Sequence, residues 1–137
     1  MDNLNNDVSK LIEYCLTFAK QLLNDFQEFY PFACAINSNG ELIPVSHYDG
    51  NDHPLSNDLK IKLESLLDDQ LYTNEKRAYA ITYDVHVKRA TADEKIDAIA
   101  IKIKQHNIAK IIVHYFGYRI MPNNSVLQMD SWYESET

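Results

Sequence analysis

Apolar residues recur at two different periods along this 137-residue chain, and the two periods predict two kinds of secondary structure. From Val8 to Phe26 they step by three and four, which predicts an amphipathic helix. Leucines recur in the same way from Leu59 to Leu71 and predict a second helix. From Ala78 to Lys88 the large apolar residues instead occupy alternate positions, which is typical of a half-buried strand.

A short hairpin is predicted between the two helices. The apolar runs 32–36 and 41–45 flank Asn39-Gly40, and this pair supplies the positive φ angles that a tight turn requires. Pro44 cannot donate to a strand ladder, so the second of these strands is predicted to lie at an edge. Asn5, Asn6 or Asp7 is predicted to cap the first helix.

The second half of the chain is predicted to be a run of strands. Segments 96–104 and 108–120 follow the strand at 78–88 as a meander, and 126–133 adds a last strand. Strands in runs, with helices interposed singly, favour an antiparallel sheet with helices packed on it. We therefore predict one α+β domain over residues 1–137, with flexible ends at about 1–6 and 134–137. Its single antiparallel sheet has five to six strands and two amphipathic helices, in the order α-β-β-α-β-β-β(-β).

Each predicted helix has one apolar stripe and needs one face of the sheet. If both helices share a face, the other face is open. That open face is predicted to carry the alternate residues of two strands: Ala78, Ala80, Thr82, Asp84, His86, Lys88, Ala98, Ala100, Lys102 and Lys104. The four alanines would form a shallow apolar area that a protein partner, or a second copy of the chain in a homodimer, could cover.

The charge of the chain favours some partners over others. The net charge is −7, and residues 77–119 carry +4, so the remainder is strongly acidic. An acidic body repels phosphate backbones, so we predict no nucleic-acid partner. It speeds encounter with a basic protein, although acidity also serves plain solubility.

No apolar run approaches a membrane span, and the first residues lack a secretory pattern, so we predict no membrane partner and a cytoplasmic location.

Cys15 lies on the apolar stripe of the first helix and Cys34 in an apolar strand pattern. Buried free thiols behave as small hydrophobic groups, which is the reading that a reducing compartment favours. A disulfide between the two remains an alternative.

One polar loop carries chemically versatile side chains within seven residues, and we predict these as the binding residues: His47, Tyr48, Asp49, Asp52 and His53. Two imidazoles and two carboxylates are ligand types that zinc uses, and His47, Asp49 and His53 are the candidate ligands. The spacing matches no standard site, because helical ligands lie three or four residues apart. The alternative is a solvent-exposed loop, and we predict neither a bound metal nor a catalytic residue from it.

A second constellation lies on the predicted strands. Asp84 and His86 share a strand face and His114 lies on a nearby strand, so the three could converge for acid-base work. The alternative is that they fill half-exposed positions. Asp97 shares the apolar face with Ile99, which predicts either a strand start facing solvent or a buried carboxylate with a shifted pKa.

Three glycines in the whole chain cannot build a phosphate loop or a dinucleotide fingerprint, so no cofactor is predicted.

The segments Glu28-Phe29-Tyr30-Pro31-Phe32, Asn39-Gly40-Glu41 and Tyr48-Asp49-Gly50 with His53-Pro54 resemble a set of small uncharacterised bacterial proteins. In those proteins a long helix runs into a similar aromatic corner, a Gly-Glu hairpin and a Tyr-Asp-Gly loop. The resemblance implies a shared fold and attaches no function. Gly117-Tyr118 stands where those proteins tend to have a proline before the tyrosine.

These observations favour a non-enzymatic interaction protein. Its small size and acidity suggest an immunity-type inhibitor that binds a basic protein partner. The alternative is a small metal-dependent hydrolase that uses His47, Asp49, Asp52 and His53.

Overall fold

The computed structural model describes residues 3–45, 56–88 and 94–136, and it confirms the predicted α+β class with one antiparallel sheet. The six strands lie in the order β2-β1-β3-β4-β5-β6. In chain order the elements are α1 (Asn3–Phe26), β1 (Phe32–Asn37), β2 (Leu42–Val45), α2 (Ser56–Tyr72), β3 (Lys76–Lys88), β4 (Lys95–Gln105), β5 (Ile108–Ile120) and β6 (Val126–Ser135).

Helix α1 starts earlier than the predicted Val8 and ends at Phe26, where the apolar stripe ends. It begins at Asn3, so the predicted capping residues 5–7 lie inside the helix. It ends at Phe26, because Gln27 adopts the left-handed conformation (φ 62°) and its amide donates to the Leu23 carbonyl at 2.8 Å. The sequence also predicts a helix stop at Pro31, because the residue before a proline avoids the helical region, but Pro31 lies beyond this end and does not terminate the helix.

The β1–β2 turn needs a positive φ at only one residue. Gly40 has φ 86°, whereas Asn39, also predicted to be positive, does not. The Asn37 side-chain oxygen accepts hydrogen bonds from the amides of Asn39 (3.0 Å) and Glu41 (2.9 Å), which fixes the turn locally. Strand β2 is an edge strand, as Pro44 predicts.

The two helices pack on opposite faces of the sheet, so the expected face open across its whole width does not exist. On the first face, α1 packs Leu11, Cys15, Ala19 and Leu23 over Cys34, Ile36, Ala78, Ala80, Ile99, Ile101 and Ile103. On the second face, α2 packs Leu59, Leu63 and Leu67 over Ala33, Ala35, Tyr79 and Ile81. None of the helices described at 3–26 and 56–72 is long and apolar enough to cross a membrane.

The four alanines predicted to form one apolar patch are divided between the two faces. Ala80 lies opposite Ile103, and Ala100 lies opposite Tyr83. Residues directly opposite each other share a face, so Ala78 and Ala80 lie under α1 while Ala98 and Ala100 lie on the second face. All four are fully buried. The prediction failed because it matched the strands without knowing their register.

A buried ion pair fastens the start of α1 to the sheet. Asp7 is completely buried, and its carboxylate accepts two hydrogen bonds from the Arg77 guanidinium, at 2.8 and 2.9 Å. This two-point geometry is the strongest that an arginine and a carboxylate can adopt. The Arg77 side chain is 28% exposed and meets water, so Asp7 alone depends on this contact to offset the cost of burying its charge.

We expect Arg77→Met to lower the free energy of unfolding by about 2 kcal/mol, because it leaves the Asp7 carboxylate buried without its partner. Urea unfolding measures this change. The control is Lys110→Met, which alters an exposed lysine of β5 and is expected to stay within about 0.5 kcal/mol of the parent. Equal effects of the two substitutions would show that the pair does not stabilise the fold.

Candidate functional site

Three aromatic side chains form a row across the second face, which starts against α2 and runs toward the edge strand β6. Tyr83 on β3 is opposite Ala100 on β4, Ala100 is opposite Tyr115 on β5, and Tyr115 is opposite Trp132 on β6. We call these four residues the aromatic row. Helix α2 packs mainly on β3 and touches β1, so the row continues past the helix toward the edge strand β6.

The rings of the aromatic row are half-buried and held in place by one another. The rings of Tyr115 and Trp132 stack with centroids 5.2 Å apart and planes 14° apart. Lys60 of α2 places its ammonium 4.1 Å from the centre of the Tyr83 ring. Ala100 lies fully buried between the two tyrosines, and its small side chain leaves space for both rings. The row is therefore a partly exposed aromatic strip whose rings contact one another and α2.

An ion cluster adjoins the aromatic row where α2 meets β4 and the end of β6. Lys102 Nζ lies 2.8 Å from Glu64 and 3.4 Å from Glu136, while Lys104 Nζ lies 3.2 Å from Glu64 and 3.0 Å from Asp68. The Tyr79 hydroxyl donates to Asp68 at 2.5 Å. We call Glu64, Asp68, Lys102, Lys104 and Glu136 the ion cluster.

The pKa shifts of Glu64, Lys102, Tyr83 and Tyr115 each favour the protonation state that the group ordinarily has at neutral pH. Burial alone would raise the pKa of Glu64, but hydrogen bonds from Lys102 and Lys104 outweigh it and the pKa is lowered. Burial alone would lower the pKa of Lys102, but Glu64 and Glu136 raise it. Burial raises the pKa of Tyr83 and of Tyr115, so both phenols stay neutral hydrogen-bond donors. Such a set is suited to contact and offers no activated nucleophile.

The first face carries a separate group of polar side chains, near the C-terminal ends of β3 and β5 and the N-terminal end of β4. The Tyr118 hydroxyl donates to Asp84 at 2.8 Å, and His86 Nδ1 lies 2.9 Å from Asp97. Limited hydration raises the pKa of Asp84, although part of its side chain meets solvent. Asp97 is 57% exposed, so the expectation of a carboxylate at a strand start facing solvent holds and that of a buried one does not.

His114 does not join this group, contrary to the predicted convergence. It lies opposite Ile101, which lies opposite Thr82, so it is two strands away from Asp84 and at a different height. Its ring instead contacts Tyr133, with centroids 6.0 Å apart. His86 and Asp97 line an open pocket of about 630 Å³, together with Tyr118, Arg119 and Met129. The described lining contains no serine or cysteine, so the His-carboxylate pair has neither a serine hydroxyl nor a cysteine thiol beside it there.

The sequence-predicted binding residues His47, Tyr48, Asp49, Asp52 and His53 lie outside the described residues. The metal-ligand hypothesis for His47, Asp49 and His53, and the hydrolase alternative built on it, therefore stay predictions. Within residues 3–45, 56–88 and 94–136, no three histidine, cysteine or acidic side chains are grouped closely enough to hold a metal ion.

Sequence reasoning missed the aromatic row. Its members are separated by up to 49 positions along the chain, from Tyr83 to Trp132, and only the strand register brings them together. The pairing of Glu64 with Lys102 and Lys104 was not predicted either, because in the sequence Glu64 is one of several acidic residues on the polar side of a helix. The usable signal was the alternation itself, which puts Tyr83, Lys102 and Tyr115 on the faces opposite to Thr82, Ile101 and His114.

No family model matches the chain, and neither the curated proteins nor the solved structures contain a significant match. The resemblance to small bacterial proteins thus stays a prediction from the quoted motifs.

We expect Glu64→Gln to lower the free energy of unfolding by about 1 kcal/mol at neutral pH, because it removes the shared partner of Lys102 and Lys104. The pKa of Glu64 is lowered in the folded state. The stability that it contributes is therefore present above the unfolded value of about 4.3 and is lost as the pH falls through the folded value. Chemical unfolding at several pH values should show the variant and the parent converging in acid. Glu13→Gln, at an exposed position of α1, is the control and is expected to track the parent throughout.

Proposed function

We propose that this chain is a non-enzymatic interaction protein whose aromatic row and ion cluster bind a basic protein partner. The observation that carries the proposal is the row itself, because its three large aromatic side chains start against α2 at Tyr83 and continue over β5 and β6, beyond the strands on which α2 mainly packs. An immunity-type inhibitor, which neutralises a basic toxic protein by binding it, is the concrete form that we favour.

The aromatic row has the composition of an interface centre. Tyrosine and tryptophan are enriched among the residues that carry most binding energy, since they offer large contact areas at a small cost in side-chain entropy. The Trp132 Nε1–H is shielded and has no hydrogen-bond partner within the described residues. An unsatisfied donor costs free energy, and an acceptor brought by a partner as the ring shifts would recover it.

The electrostatics favour a basic partner over an acidic one. Lys102 and Lys104 are already held by carboxylates, so their charges are largely compensated within the chain. Glu134 and Glu136, at the end of β6, both lie close enough to Tyr115 to raise the pKa of its phenol. With the net charge of −7, the long-range field attracts positive proteins and accelerates their encounter.

We expect Trp132→Ala to weaken partner binding by roughly 30-fold or more, as removal of a central aromatic residue typically does. The neighbouring Tyr133→Ala is the matched control. Tyr133 is 69% exposed but contacts His114 on the first face, so its removal should leave affinity within roughly threefold of the parent. Proteins captured from the source cells by the parent and by both variants are compared by mass spectrometry, and the affinity of each captured protein is then measured by calorimetry.

The proposal requires one captured protein that is basic, binds the parent in a salt-sensitive way, and is lost with Trp132→Ala but kept with Tyr133→Ala. A partner lost equally with both variants would contradict the assignment of the surface. The absence of any such protein, with the chain sedimenting as a monomer, would contradict the function. Self-association that Trp132→Ala abolishes would replace the basic partner with a second copy of the chain.

A further inference from the structure

The two cysteines meet in the core beneath α1. Cys15 on α1 and Cys34 on β1 are both fully buried, and their sulfur atoms lie 3.2 Å apart in a thiol–thiol hydrogen bond. Both thiols are free. They are separated by 19 positions in the chain, so the fold, rather than local sequence, brings them together.

The contact arises from the packing of small residues. Cys34 lies opposite Ala80, and Cys15 lies one helical turn from Ala19 on the stripe that faces the sheet. Because these alanines have short side chains, α1 approaches the sheet closely enough for the two sulfurs to touch. A disulfide needs a sulfur–sulfur distance of about 2.05 Å, so the pair has only about 1 Å left to close.

The electrostatics allow one proton of the pair to leave more readily than the other. The hydrogen bond between the sulfurs raises the pKa of the Cys34 thiol, and burial raises it further. The same hydrogen bond lowers the pKa of Cys15, against the opposing effect of burial. Thiolates are the reactive species in sulfur oxidation, and the arrangement provides one nucleophilic sulfur beside one protonated sulfur.

We propose that Cys15 and Cys34 are a modification site, a dithiol that a peroxide converts into an intrachain disulfide joining α1 to β1. In the first step a thiolate sulfur attacks a peroxide oxygen, the O–O bond breaks, and hydroxide leaves to become water. In the second step the other sulfur attacks the resulting sulfenic acid, the S–S bond forms, the S–O bond breaks, and a second water leaves. The two thiols lose two electrons in total, and hydrogen peroxide is reduced to two waters.

The burial of the pair sets the rate of this reaction. Neither sulfur meets solvent in the closed structure, so peroxide reaches the pair when α1 opens from the sheet. Once formed, the bond prevents that opening, because it links the helix to the strand across the core. The oxidised chain therefore resists unfolding more strongly than the reduced chain.

The test uses the full chain treated with hydrogen peroxide and a reduced sample of the same chain. We expect intact mass to fall by about 2 Da, with the Cys15 and Cys34 peptides joined in a non-reduced digest. The melting temperature should rise by roughly 10 °C and return to its starting value with a thiol reductant. Cys34→Ala is the matched control, since it keeps Cys15 in place but removes its partner, and it should show neither the crosslink nor the shift.

Three outcomes would overturn the inference. In the first, both thiols remain free after peroxide treatment, as measured by thiol titration of the denatured chain. In the second, one cysteine gains oxygen atoms without a crosslink. In the third, the disulfide joins two chains, seen as a dimer on a non-reducing gel. If Cys34→Ala does not fold, peptide mapping of the parent chain still separates these outcomes from the expected crosslink.

Discussion

The register between β3 and β4 is the constraint on which the rest of this structure depends. Strand β4 alternates isoleucines with alanines and lysines, and the observed pairing directs its isoleucines under α1. A slip of one residue would bury Lys102 and Lys104 beneath that helix, away from the carboxylates that now compensate them. The hydrophobic effect and the cost of an unpaired charge thus select the same register.

The same register fixes the distribution of small and large side chains. On the first face Ala80 lies opposite Ile103, and the low profile of Ala78 and Ala80 admits α1 close to the sheet. On the second face the small member of the row is Ala100, and the space it leaves is filled by two tyrosine rings instead of a helix. One strand pattern therefore produces a thiol contact on one side and an aromatic strip on the other.

Local patterns were sufficient for the elements and insufficient for the site. The run from 108 to 120, apolar on both faces over much of its length, predicts β5 to the residue, because a long apolar run of this kind is typical of an inner strand. No local pattern in the sequence specifies the strand register. For this reason the alanines were wrongly predicted to share one face, and His114 was wrongly predicted to lie near Asp84. The buried pairing of Asp7 with Arg77 was hidden for the same reason, since an acid near a helix start reads most simply as a cap.

The ion cluster limits what a partner at the aromatic row can be. Lys102, Lys104 and Glu64 are mostly shielded from solvent, whereas Asp68 and Glu136 are about half exposed. A partner that covers the cluster must therefore replace the remaining water with hydrogen bonds or leave charges buried. An apolar partner surface offers no hydrogen bonds, so it would leave these charges buried without compensation. A basic surface with arginine or lysine side chains can pair with Glu136 and Glu134 while its apolar stems cover Tyr115 and Trp132. The neighbourhood of charge and aromatic rings therefore supports the proposed choice of a positively charged protein as the partner over an apolar one.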